Sequence, residues 1–359
     1  MQLLNLTLKN FRGFEKQEFE FTKGIQHFVG ENAHGKTTLL EAIYFLATGH
    51  SFRTHHLGDL VMYSKETFLL DLHFDGHGFV QHLQVQSDGK NHHVVFNSTL
   101  YSSLYQLYGI LPAVVMTTED IDIIKKGPEE RRHFLDLHLF SQDPLYVYHH
   151  QRYKRALKQR NMMLKFKKLK HIDIFEKELA KSAAYLTFVR KDAIDLLSKT
   201  TAPILLDLSD EKDCLTMEFK TLTHDPLTLE ELEQKYIKSY LDVRPKDLDM
   251  QTTTIGPHRE DLGLFINGNP ARLFASEGQK RTLANSLKLA QFEILQHTGK
   301  EAPFLCIDDV GISLDLERTK RLHQKLENIE QVFITSPTTL PHFKANVFAL
   351  ESFKLVFAS

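Results

Sequence analysis

Residues 25–49 read IQHFVGENAHGKTTLLEAIYFLATG, and the order of their parts decides the fold. A short apolar run, Ile25 to Val29, ends at Gly30. After Thr38 the apolar residues recur at helical spacing and stop at Gly49. Between the two, Gly30-Glu31-Asn32-Ala33-His34-Gly35-Lys36-Thr37 fits G-x-x-x-x-G-K-[ST] in the strand-to-helix setting that a phosphate-binding loop requires. The backbone N–H groups of such a loop converge on phosphate at the positive end of the following helix. Gly30 through Thr38 are therefore expected to hold the phosphates of ATP. Lys36 would reach the β- and γ-phosphates, and the Thr37 hydroxyl would ligate Mg2+.

Two distant stretches narrow the class. In PFLCIDDV an apolar strand ends at Asp308 and Asp309, as a Walker B motif does. Asp308 would hold magnesium and Asp309 would orient or deprotonate the attacking water. Upstream, Ser276-Glu277-Gly278-Gln279 opens a helix just before that strand. Ser276 is a good N-cap, and an open helix N-terminus also binds phosphate. A serine-x-glycine-glutamine helix ahead of Walker B is the layout of the ABC ATPase signature, in which Ser276 and Gly278 contact the γ-phosphate held by a second subunit. Asp315, in ISLD, falls at the D-loop position. The reading is α/β, an ABC-type ATPase head.

The rest of the chain fits around these motifs. The first 28 residues alternate as strands with a turn at Arg12-Gly13, and residues 67–97 read as an antiparallel meander with turns at Asp75-Gly76 and Asp88-Gly89. Residues 129–200 read as helical throughout. After Thr252 the α/β pattern returns, with a strand pair near 261–273, a helix over 277–297, a helix around 315–327 and a strand at QVFIT. The expected organisation is 1–104 as the N-terminal ATPase part, 105–205 as an inserted α-helical lobe, and 206–359 as the C-terminal ATPase part.

The 359 residues are 42% hydrophobic and 25% charged, the balance of a globular protein. No run is long and apolar enough for a membrane span. Two separated cysteines, Cys214 and Cys306, suit a reducing, cytoplasmic setting. Net charge is only −2, but its distribution is uneven. Pro144 to Ile172 contain no acid, while Arg152, Lys154, Arg155, Lys158 and Arg160 recur at spacings that let several share one helix face. They are a candidate contact for DNA phosphates, and a solvated helix face explains them equally well. Arg131 and Arg132 are further candidates, or pair with Glu129 and Glu130. The adjacent pairs His55-His56, His92-His93 and His149-His150 lack the companions that a metal site needs.

LKNFRGF at the start, GENAHGKTTLLEAIYFLATGHSFR, TTEDIDIIKKGPEERRHFLD, YKRALKQRN, TTIGPHREDL, ASEGQKRTLANSLKLA and IDDVGISLD run in one order along the chain. Together they resemble the RecF family of bacterial recombination proteins. The resemblance implies an ABC ATPase head like those of structural-maintenance-of-chromosomes proteins, without a long coiled coil. It implies ATP-dependent binding of single-stranded, gapped or junction DNA, an ATP-dependent homodimer, weak DNA-stimulated ATP hydrolysis, and action with RecR and RecO in loading recombinase at gaps. It also places Arg12 beside the nucleotide and has Ser276, Gly278, Gln279 and Asp315 act across the dimer. Departures bear on rate. Asp309 is shorter than the usual glutamate, and Ser336-Pro337-Thr338 follow QVFIT with no switch histidine, which suggests slow turnover. Glu277, where transport ATPases carry glycine, argues against a transporter subunit. A nucleotide-gated DNA-binding scaffold without hydrolysis stays open.

Overall fold

The computed structural model describes residues 1–299, 301–309, 326–327, 329–339 and 345–356. Asp315 and most of the helix expected around 315–327 lie outside the described residues. The chain forms two compact units. One comprises Met1–Ile121, Ile204–Lys212 and Glu277–Ser359, the other Asp122–Pro203 and Asp213–Ser276. Segment 213–276, expected with the C-terminal ATPase part, thus clusters with the helices of 122–203, because its strand Asp261–Ile266 packs on Pro128–Phe140 and its helix Leu229–Met250 on Pro144–Lys165.

The first unit is built on two six-stranded sheets. In the antiparallel one, the strands Gln2–Phe11, Phe14–Glu20, Phe68–Gly76 and Phe79–Ser87 alternate buried and open positions, so one face meets the core and the other meets water. The chain turns between Phe11 and Phe14, as the sequence suggests. The next expected turn is displaced. Asp75 and Gly76 remain paired in the strand, and His77-Gly78 make the two-residue turn, both with positive φ (55° and 79°), as a type I′ hairpin demands.

The second sheet is parallel except at one edge. Its order is Lys354–Val356, Ala345–Glu351, Gly24–Val29, Gln331–Ser336, Phe304–Ile307 and Ala113–Met116. One strand, Gln331–Ser336, therefore separates the loop-bearing strand from the strand that ends in Asp308. The helix Lys36–Thr48 is buried along nearly its whole length, which is why its sequence is apolar on every side. Leu39, Ile43 and Phe45 share one core cluster with Leu6, Leu70 and Phe74 of the antiparallel sheet and with Phe304 and Phe333 of the parallel one. Phe68 sits edge-on to both Phe11 and Phe45, with ring centroids 5.3 and 5.8 Å away.

The second unit contains the helices Pro128–Phe140, Pro144–Lys165 and Leu229–Met250, the greater part of Ile172–Leu208, and a three-stranded antiparallel sheet. Buried arginines organise it. Arg190 reaches Asp136 at 2.7 Å and Glu260 at 2.8 Å, and Arg131 binds Asp261 through two bonds of 2.7 and 3.0 Å. Among the described residues no helix is long and apolar enough to cross a membrane.

Candidate functional site

The loop between Val29 and Lys36 keeps its glycines for steric reasons. A Cβ on Gly30 would lie 2.3 Å from the carbonyl oxygen of Leu350. At Gly35 φ is +102°, and a Cβ would meet the rings of Phe14 and Phe353 at 2.8 Å each. Ala33 also takes a positive φ, 69°, where many phosphate loops use glycine. The loop is pinned from the side by His34, whose Nδ1 is 3.2 Å from Leu350 O and whose carbonyl accepts from Phe353 N. Glu31, Asn32 and Ala33 are exposed, while Gly35, Lys36 and Thr38 are buried. Lys36 Nζ donates to the carbonyls of Gly30 and Glu31 at 2.7 and 2.9 Å, so the ammonium lies within the loop's curve. Burial pulls its pKa below the usual lysine value, and the charges of Asp309 and Asp308 oppose that shift.

Sequence-distant acids meet this loop. Thr37 Oγ1 donates to Asp308 Oδ1 at 3.0 Å. Thr335, from the intervening strand, donates to the same oxygen at 2.6 Å and accepts from the backbone N–H of Asp309 at 2.8 Å. Burial raises the Asp308 pKa and the neighbouring Asp309 charge adds to the rise, while the hydroxyls of Thr335 and Thr37 counteract it. Asp309 has φ 54°, and its buried Oδ1 finds no hydrogen-bond partner among the described residues. The Thr37 hydroxyl and two carboxylates, one of them with an orphaned buried oxygen, form a hard-oxygen donor set that suits magnesium. Thr335 has no motif of its own; a polar residue near the end of an otherwise apolar strand was its only signal.

Arg12 is held by Glu41 on the loop's own helix, with bonds of 3.0 and 2.6 Å. Glu41 is fully buried and is also met by Ser51 at 2.5 Å and Arg53 at 3.2 Å. Nothing but an acid inside an apolar helix, LLEAIYF, marks it in the sequence. Ser336, which stands where a switch histidine was sought in the sequence, meets a histidine of the neighbouring strand. His27 Nε2 is 2.6 Å from Ser336 Oγ, and burial lowers the His27 pKa to about 4, so the ring is neutral.

The signature stretch is open. Ser276 and Glu277 are exposed, with Gly278 and Gln279 partly so, at the start of the helix Glu277–Thr298. Leu273 and Phe274, just ahead of it, are 72% and 69% exposed.

The basic helix Pro144–Lys165 divides its basic residues between the core and the surface. Arg160 is wholly buried, held by Glu176 at 3.0 Å, Asp247 at 2.6 Å and Thr253 at 2.8 Å, so it is a core ion pair and not a DNA contact. Arg152 is paired with Glu178 and Tyr148. Lys154, Arg155 and Lys158 are exposed on the face opposite Tyr146, Tyr153 and Arg160. Arg131 and Arg132 take their hydrogen bonds elsewhere than Glu129 or Glu130, although the Glu129 charge acts on Arg132. They bind Asp261 and the Glu260 carbonyl.

Comparison with known proteins gives the family. The family model described as RecF/RecN/SMC N terminal domain matches residues 2–348. The DNA replication and repair protein RecF of Protochlamydia amoebophila is 39% identical over 349 residues, 96% of this chain and 97% of that protein. The RecF of Clostridioides difficile is 32% identical across 94% of this chain and 91% of its own length. A solved structure described as the recombination mediator protein RecF with ATP in the RecFOR pathway superposes with a TM-score of 0.92 at 30% identity, covering 100% of this chain and 98% of that one. A second, with ATPrS, gives a TM-score of 0.91 over 98% and 97%. With the family model matching residues 2–348 and a RecF protein 39% identical over 96% of this chain, the chain belongs to the RecF family within the RecF/RecN/SMC N-terminal domain proteins.

Proposed function

We propose that this chain is an ATP-gated DNA-binding protein of replication and repair. The observation that carries the reading is the meeting of Thr37, Asp308, Asp309 and Thr335 beside Lys36. Lys36 and the loop amides from Gly30 to Thr38 bind the phosphates, Thr37 and Asp308 hold magnesium, and Asp309 positions water. Magnesium there would neutralise charge on the phosphate oxygens. Arg12, anchored on Glu41, adds positive charge beside the loop. Ser276, Gly278, Gln279 and Asp315 act on the nucleotide of a second copy, so ATP closes a homodimer. The exposed Ser276 end of its helix supports this, since a solvent-facing helix N-terminus favours phosphate.

DNA is held through phosphates by Lys154, Arg155 and Lys158, at gapped, single-stranded or junction sites, with RecR- and RecO-type partners downstream. The RecFOR pathway named for the similar solved structures supports that setting. Hydrolysis is slow, because Asp309 reaches less far than a glutamate. The test is DNA binding to gapped and blunt duplexes with ATP, ADP and no nucleotide. Tighter binding to gapped DNA with ATP alone is expected; equal binding in all three states would reject the gating. Asp309→Asn, followed for both turnover and dimerisation, separates a slow enzyme from a scaffold: loss of turnover with dimerisation kept marks the enzyme.

A further inference from the structure

The outer face of the antiparallel sheet carries a constellation that the nucleotide site does not use. The strand Phe68–Gly76 alternates buried and open, which puts Asp71 and His73 on the solvent side. Pairing sets Asn5 opposite His73 on one side and His82 opposite His73 on the other, so Asn5, His73 and His82 form a row across three strands. Asp71 stands one row along on the same face.

We propose that this face binds one divalent cation of the zinc class through Asp71 Oδ1, His73 Nδ1 and His82 Nε2, with Asn5 Oδ1 as a neutral fourth donor. The ligand atoms of Asp71, His73 and His82 lie within 4.8 Å of one another. His82 Nε2 is 3.0 Å and His73 Nδ1 3.7 Å from Asp71 Oδ1, and Asn5 Oδ1 is 3.0 Å from His73 Nδ1. A tetrahedral shell with metal–ligand bonds of about 2.0–2.2 Å has edges of about 3.3–3.6 Å, so small side-chain rotations bring these atoms onto it. The two imidazoles lie nearly parallel, 4.5 Å between centroids and 13° between planes, and both turn a nitrogen to the same carboxylate oxygen.

The surroundings also fit. Gln84 Nε2 donates to the other oxygen of Asp71 at 2.7 Å, fixing the carboxylate as outer partners of metal ligands do. The three side chains are between 23% and 41% exposed, open enough for an ion to enter. Two imidazoles with one carboxylate favour zinc over magnesium, which prefers the hard oxygens at Thr37 and Asp308. The ion would tie the first strand of the chain to the following hairpin.

Zinc alone is the probe, titrated by calorimetry into the full chain in excess magnesium without nucleotide. The wild type is expected to bind one more equivalent than the double variant His73→Gln/His82→Gln, and each single variant to weaken that site at least about tenfold. Zinc should raise the melting temperature of the wild type only, while the metal-free melting temperatures coincide. Cobalt substitution should give tetrahedral visible bands that the double variant lacks. The variant His92→Gln/His93→Gln should behave as wild type. Equal zinc stoichiometry and affinity in wild type and the His73/His82 variant would overturn the proposal, leaving the row as hydrogen-bonded surface side chains.

Discussion

Thr37 and Asp308 are 271 positions apart, yet Thr37 Oγ1 lies 3.0 Å from Asp308 Oδ1. The contact exists because the helix that begins at Lys36 starts beside the end of the strand Phe304–Ile307, on the far side of the strand Gln331–Ser336 from its own. Thr335, on the strand between, completes the cluster by gripping both acids.

Thr335 is therefore expected to matter as a positioning residue. Thr335→Val removes the donor to Asp308 and the acceptor for Asp309 N–H. The affinity for magnesium-ATP should fall by about 10–100-fold, as for other outer partners of a metal ligand. Thr335→Ser should restore most of it. Nucleotide titrations with and without magnesium check this, since a purely structural loss would be equal in both.

The basic helix predicts opposite outcomes for neighbouring residues. Lys154→Glu with Lys158→Glu should weaken DNA binding and lower the salt slope by about one for each lysine–phosphate pairing that is removed, with the melting temperature unchanged. Arg160→Leu should instead destabilise by about 3–5 kcal/mol, because Asp247 is left buried without its guanidinium, while Glu176 keeps Arg244. Salt titrations beside thermal melts separate the two. A stable Arg160→Leu protein with impaired DNA binding would reverse the assignment.

Acid should destabilise the chain in a defined window. Burial lowers the pKa of His27 and of His138 from 6.5 to about 4. Both stay neutral when folded but take up protons in the unfolded chain below about pH 6.5. The unfolded state then binds more protons, so stability falls as pH drops from about 6.5 to about 4. The loss is on the order of 1 kcal/mol per pH unit for each histidine, and it stops growing below about 4. Urea midpoints across that range measure it, and a flat profile would contradict it.

Gly35→Ala tests the loop. The new Cβ would sit 2.8 Å from Phe14 and Phe353 at a φ of +102°. Conformation alone costs about 1–2 kcal/mol, before the two rings are displaced. A lowered melting temperature with weakened nucleotide binding is expected. An unchanged melting temperature would mean that the rings yield freely.

Much of this was legible in the sequence, because strand, loop and helix around Gly30–Thr37 are contiguous and each obeys a local rule. What escaped was non-local. Arg160 reads as one more base in an acid-free stretch, since the acids that neutralise it, Glu176 and Asp247, stand 16 and 87 positions away. Glu41 and Thr335 each interrupt an apolar run, and only the fold shows that one anchors Arg12 and the other spans two aspartates. The hairpin at His77-Gly78 was displaced because Asp75-Gly76, two residues earlier, carries the stronger turn signal.

The single strand between the loop-bearing strand and Asp308 has one more consequence. Adjacent strands lie about 4.8 Å apart, so two spacings set roughly 10 Å between the strand that leads into the loop and the strand that ends in the acids. Gln331–Ser336 thus works as a gauge. Its width sets how far the chain must cross from the loop-bearing strand before Thr37 meets Asp308, and the side chain at position 335 bridges part of that span. Substitutions along that strand would recalibrate the site without touching any residue that motif searching can find.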